Sequence, residues 1–233
     1  MCSDTTTLLS LFRLAQLSDS ALPVGSFSFS LGLEAAVNQG LVCDLKSLED
    51  YTLGTLRSVA ECDGVALLEG FRAATVGDHQ RLFEADRRLF AFKSAEEQRT
   101  MTCKMGYRLS LLLHSITPAP LSERLMEWIE GGAIKGTYPT AQAVAGVVLG
   151  AGERALFVAH LYGTATMILS ASLRLVRLSH FDTQRILYRM GNHCEGLYEF
   201  SSERTLEDIS SFAPTLSLAA SLHERGVGRL FMN

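Results

Sequence analysis

The stretch from Ala155 to Leu173 carries no aspartate, glutamate, lysine or arginine. A helix that crosses a bilayer needs about 20 apolar residues, so its length alone admits a membrane span. Its composition does not. His160, Tyr162, Thr164, Thr166, Ser170 and Ser172 lie within it, and much of the remainder is alanine. Such a segment is too polar for lipid and suits a central helix wrapped on all sides by other helices. The chain is therefore expected to supply those helices and to stay out of the membrane. Its start, MCSDTTTLLSLFRLAQ, has no basic region ahead of an apolar one, so it does not read as a secretory signal.

The rest of the sequence is written in helix punctuation, and strand alternation is nearly absent. Thr5 to Gln16 reads as a first helix, with Leu8, Leu9, Phe12 and Leu14 apolar. Pro23 and Gly25 break the chain, and a short helix to about Asn38 is closed by Gly40. Asp44 is the expected cap of a long segment reaching about Thr75, interrupted near Gly64. Asp78 starts another. Ser94 with Glu97 forms a capping box for a helix to about His114, whose Met101, Met105, Leu109 and Leu112 recur at helical spacing.

After a turn at Thr117 to Pro120, a further helix ends at Gly131 and Gly132. Pro139 opens PTAQAVAGVVLG, whose small residues predict close helix–helix contact. The uncharged helix follows from about Glu153, and Asp182 caps a last one through about Phe200. The expectation is an all-α, single-domain bundle of roughly seven to ten helices with flexible termini, spanning 1–233. The weakly periodic residues 212–233 read as a tail.

Composition narrows the function. The 233 residues hold 47% hydrophobic and 20% charged side chains, a globular balance. A net charge of −4 supplies no basic face for nucleic acid. Cys2, Cys43, Cys62, Cys103 and Cys194 are odd in number and widely spaced, without a Cys-x-x-Cys pair. That argues against a disulfide framework or zinc cluster and fits a reducing compartment.

No catalytic or metal-binding motif emerges. GGAIKGT, from Gly131 to Thr137, is superficially similar to a phosphate loop but lacks the Gly-x-x-x-x-Gly-Lys order and a preceding strand. GSFSFSLG is not a nucleophile elbow. No two histidines share a helix face at ligand spacing. His160, inside the uncharged helix, reads as a hydrogen-bonded core histidine. His193 beside Cys194 reads as a half-exposed residue, since helix neighbours point about 100° apart. An interhelical enzyme or small-ligand site around His160 or His193 stays open as the alternative.

One segment is physically odd. Leu22 to Glu34 reads LPVGSFSFSLGLE. A Pro-x-Gly turn precedes Phe27 and Phe29 alternating with serines, then Gly32 in a helical context. Glycine there costs about 1 kcal/mol against alanine unless another backbone must come close. This segment resembles the N-terminal signature of the UreF family of urease accessory proteins. The resemblance continues along the chain. Glu97, Arg99 and Gly106 in EEQRTMTCKMG are similar to the family's Glu-x-Arg segment ending in Gly. RLVRLSHFDTQ, from Arg174 to Gln184, and LHERGVGRLF, from Leu222 to Phe231, resemble two later family segments. Departures are Ser26 for a second glycine, Gln98 for leucine, Arg177, Ser179 and His180 for Pro, Gly and Gln, and Gly226-Val227-Gly228 in place of Gln-Tyr-Ser.

The resemblance implies a non-enzymatic, cytoplasmic adaptor that binds no cofactor directly. It implies action with a UreD/UreH-type accessory protein and a UreG-type GTPase on the urease apoprotein, in nickel insertion. The GTPase holds the GTP and the complex handles the nickel; the adaptor itself is expected to form a homodimer. Partner-binding residues are expected at Pro23, Gly25, Phe27, Gly32, Leu33 and Glu34. A second set is His223, Glu224, Arg229, Leu230 and Phe231, in a tail free to meet a partner. No residue is assigned to catalysis or to a metal.

Overall fold

The computed structural model describes residues 7–19, 21–210 and 231. Among them every regular element is helical. In order these are α1 (Leu8–Leu17), α2 (Leu33–Asn38), α3 (Leu45–Val59), α4 (Val65–Val76), α5 (His79–Phe92), α6 (Glu96–Ile116), α7 (Pro120–Glu130), α8 (Tyr138–Leu149), α9 (Glu153–Leu175), α10 (His180–Gly191) and α11 (Cys194–Ser202). A π-turn, Ala60–Gly64, joins α3 to α4, and short 3-10 turns occupy Ser26–Ser28 and Leu206–Asp208. The all-α expectation holds.

The uncharged helix is the centre of the bundle, as its composition requires. α9 packs against α1, α2, α3, α8, α10 and α11. It is long and apolar enough to cross a membrane, but most of that apolar stretch is buried inside this chain. The small residues of α8 do what small residues allow. A Cβ at Gly146 would lie 2.6 Å from Leu156 Cδ2, and one at Gly70 of α4 would lie 3.3 Å from Ala143 Cβ. At Gly70 the axes of α4 and α8 approach closely because only the Ala143 methyl group stands between them, and at Gly146 the missing side chain leaves room for Leu156.

Caps explain most boundaries. The Asp44 carboxylate accepts the Ser47 N–H at 2.8 Å, and Gly40 takes a left-handed φ of 72° beyond α2. The interruption expected near Gly64 is the π-turn. A side chain at Gly64 would come within 2.8 Å of the Phe157 ring, so the helix is widened and bare where α9 crosses.

Three expectations are corrected. Ser94 does not cap α6. Ala95 stands at the N-cap without a side-chain bond, and Arg99 Nη1 instead donates to the Lys93 and Ser94 carbonyls at 2.6 and 3.0 Å. α10 is capped by Ser179, with Asp182 returning a bond to the Ser179 N–H at 3.0 Å. The segment expected to run to Phe200 breaks at Asn192–His193 into α10 and α11.

Candidate functional site

The N-terminal motif is a strained arch ahead of α2. Pro23 is exposed and Val24 is buried. Gly25 has φ 83° and lies under the Arg108 guanidinium, 3.2 Å from where a Cβ would stand. The alternation of Phe and Ser then splits the aromatic pair. Phe27 is 69% exposed, whereas Phe29 is 5% exposed and in the core. Leu31 takes φ 54°, which is costly for a branched residue, and its carbonyl is held by the Tyr51 hydroxyl at 2.7 Å.

Gly32 follows with φ 80°. It is the N-cap of α2, and not a residue inside a helix as its sequence context suggested. Its glycine identity answers a left-handed backbone and not only close packing. Leu33 and Glu34, expected on a partner surface, are 0% and 4% exposed. Their side chains belong to this chain's own interior because the two left-handed residues turn the first face of α2 inward.

Beneath the arch lies a cavity of about 90 Å³. Leu22, Val24, Ser26 and Leu31 of the arch line one side; Met101, Thr102 and Met105 of α6 and His160, Gly163 and Thr164 of α9 line others. The π-turn delivers Asp63 to its wall, where the Lys93 ammonium donates to the carboxylate. Arg99 grips the end of α5 through the Lys93 carbonyl and so places that ammonium. His160 and Gln142 of α8 bond through Nδ1 and Oε1 at 2.6 Å, as expected of a core histidine. Its Nε2 is buried without a hydrogen-bond partner among the described residues. Burial pushes the imidazole down to about 4, so it is neutral near pH 7. The carboxylate and ammonium already satisfy each other, which leaves a closed polar wall in place of a free acid or base.

Gly106 shows why a glycine ends the Glu-x-Arg segment. A Cβ there would meet the Gly136 carbonyl oxygen at 2.0 Å and the Thr137 carbonyl carbon at 2.8 Å. The 131–137 loop rests directly on bare α6 backbone. The same loop is filled from the other side by the carboxylate of buried Asp86 on α5, which accepts the Lys135 and Thr137 N–H groups at 2.5 and 2.7 Å. A phosphate would have to displace that carboxylate, which removes the superficial likeness to a nucleotide loop.

Phe231 packs against α2. Phe231, expected in a free tail, is 5% exposed and sits in the cluster that contains Leu33 and Leu169. Its N–H donates to Glu34 Oε2 at 3.1 Å, and the Arg174 guanidinium stands 4.1 Å over its ring. Phe231 is therefore a core contact, because its ring finds an apolar socket at the foot of α2. His223, Glu224, Arg229 and Leu230 lie outside the described residues. His193 stands apart from this assembly, at the N-cap of α11. Sequence reasoning missed Asp63, Lys93 and Arg174. The first two carried a usable signal, since an acid in CDGVALL and a base in LFAFKS interrupt apolar runs.

Among the described residues, fold and site together define an all-helical protein whose 131–137 loop closes on an internal carboxylate and whose N-terminal arch roofs one polar cavity. Residues 42–191 match the family described as UreF. The chain is 41% identical over 227 residues to urease accessory protein UreF 2 of Brucella suis (strain ATCC 23445 / NCTC 10510), covering 97% of this chain and 93% of that protein. The UreF 2 protein of Brucella canis (strain ATCC 23365 / NCTC 10854 / RM-666) is likewise 41% identical over 227 residues. Urease accessory protein UreF of Yersinia enterocolitica is 37% identical over 223 residues, covering 96% of this chain and 98% of that protein. The chain belongs to the UreF family.

Proposed function

We propose that this protein is a urease accessory protein that works as an adaptor without chemistry of its own. It joins a UreD/UreH-type protein and a UreG-type GTPase on the urease apoprotein and regulates the GTPase during nickel insertion. The GTPase carries the nucleotide, the complex handles the nickel, and the adaptor acts in the cytoplasm as a homodimer. The observation that carries the reading is identity of 37–41% along nearly the whole chain with proteins named urease accessory protein UreF.

The surface supports it. Leu8 and Phe12 of α1, Phe27 of the arch, and Phe181 and Tyr188 of α10 are each more than two-thirds exposed. Contiguous or prominent apolar surface on a soluble chain is most stable under another protein. Pro23 and Phe27 present the arch to a partner, while Leu33 and Glu34 act from behind it by shaping α2. His223, Glu224, Arg229 and Leu230 remain the proposed partner segment of the tail.

The test is co-expression of a urease gene set with and without this chain. The expected result is urease protein lacking nickel and activity when the chain is absent, and co-purification of the GTPase and accessory partner when it is present. Full urease activity without the chain would sink the reading. Calorimetry on the isolated chain should show no micromolar GTP binding.

A second reading, a small molecule in the interhelical cavity, has one observation in its favour, the unpartnered Nε2 of His160. It requires that His160→Gln abolish a ligand-dependent rise in melting temperature while urease maturation continues.

A further inference from the structure

His160 brings to the cavity beneath the arch a group that its surroundings leave unused. The side chain is 5% exposed, it stands on the cavity wall, and its Nε2 has no hydrogen-bond partner among the described residues. The state of that nitrogen follows from the other one. Gln142 Oε1 can only accept, so at 2.6 Å it takes the Nδ1 hydrogen. The ring is neutral, and Nε2 therefore carries a bare lone pair. A buried acceptor of this kind is costly until a donor reaches it.

The charge of the wall decides what kind of donor that is. The Asp63 carboxylate and the Lys93 ammonium neutralise each other, with side chains only 11% and 15% exposed. No net negative charge is left to offset a buried cation, and no net positive charge to hold an anion, so a guest here is neutral. A second wall group has the complementary need. Thr102 Oγ1 accepts the Tyr138 N–H at 3.0 Å, and its own hydrogen finds no acceptor among the described residues. Size sets the rest. An apolar cavity of about 150 Å³ takes benzene, so the cavity of about 90 Å³ here has room for about four non-hydrogen atoms. Leu22, Val24, Leu31 and Met105 give it an apolar side, and exposed Asp19 on the same wall puts its mouth at the end of α1.

We propose, resting on the small-molecule reading above, that this cavity binds a small neutral amide whose N–H donates to His160 Nε2 and whose carbonyl accepts from the Thr102 hydroxyl. An amide fits better than an alcohol because its donor and acceptor are separate atoms, one for each wall group, while its alkyl end meets the apolar side. Three of the apolar wall residues belong to the arch, so an occupied cavity also fastens the arch to α6 and α9.

Acetamide and acetone are the probes. They share size and shape, and only acetamide has an N–H to give. Titrated into the full chain labelled with ¹⁵N-histidine, acetamide should move the His160 Nε2 resonance upfield and saturate in the millimolar range that so few atoms allow. Acetone should bind about 10-fold more weakly, as loss of one hydrogen bond to a buried acceptor requires. His160→Leu should cost acetamide that same factor and leave acetone unchanged, and backbone exchange in residues 22–32 should slow with acetamide in wild type alone. Equal wild-type affinity for the two probes, or a free chain whose His160 Nε2 already carries the proton, would overturn the amide while leaving a ligand cavity. Binding of neither probe would overturn the site and the small-molecule reading with it. The wild-type spectra decide between these outcomes even where His160→Leu does not fold.

Discussion

The 131–137 loop and the 22–32 arch are both marked by glycine and both lie outside α-helix, yet the chain uses them in opposite ways. The loop turns its N–H groups inward onto the Asp86 carboxylate and lies flat on α6 at Gly106. The arch spends two left-handed residues to turn Leu33 and Glu34 inward, and in doing so leaves Phe27 outside. Glycine alone therefore does not distinguish a structural loop from a docking element. What distinguishes them is whether a large apolar side chain is left in solvent after the backbone is satisfied.

This contrast is strongest at Gly106. Gly106→Ala forces a methyl group into the 136–137 backbone and should destabilise the fold by about 3 kcal/mol or more, read as a lowered urea midpoint. A loss under 1 kcal/mol would mean that the loop is not seated on α6. Asp86→Asn should follow, at about 2 kcal/mol, because an amide cannot accept from both the Lys135 and Thr137 N–H groups without turning a donor toward one of them.

The cavity between the two regions adds a pH dependence. The folded imidazole of His160 titrates at about 4, below its ordinary 6.5. The unfolded chain thus binds the extra proton first as pH falls. The stability associated with the neutral ring is present above pH 6.5 and is lost on the way down to 4. Between pH 6.5 and 5 it should fall by about 1.5 kcal/mol, and His160→Gln should flatten that slope in denaturant titrations at each pH. The smallest effect on stability belongs to the arch. Phe27→Ala should change folding free energy by less than about 0.5 kcal/mol, as exposed substitutions do, while weakening recovery of the accessory partners. Unchanged recovery would remove the contrast between loop and arch.

Much of the fold is legible from local chemistry. Asp44, Gly40, Asp78 and the proline near the start of α8 each mark an end through a cap or a fixed φ, and these act within a few residues. The break between α10 and α11 is not legible, because Gly191, Asn192 and His193 would be tolerated within or beyond a helix end and tertiary packing decides. The site is read less well for the same reason at longer range. Phe27 and Phe29 look alike in sequence, and their separation depends on the 3-10 turn between them. Glu34 looks like a surface acid until Phe231, almost two hundred positions later, supplies its N–H. The Asp63–Lys93 pair needs the π-turn to aim the acid inward, and no local signal gives that geometry.

The π-turn also sets the phase of the chain. Each α-helical residue advances the rotation by 100°, so the wider turn at Ala60–Gly64 offsets the inward stripe of α4 from that of α3. Leu48, Thr52 and Leu56 keep time with one rotation, while Val65, Leu67 and Leu68 keep time with another. Deleting one residue between 60 and 64 would close the turn into ordinary helix and leave the side chains of α4 facing nearly as they do now, because the wider turn has already absorbed one residue. A one-residue gap among its relatives should therefore fall inside this turn, since one removed from α3 or α4 beyond it would rotate the rest of the helix by about 100°.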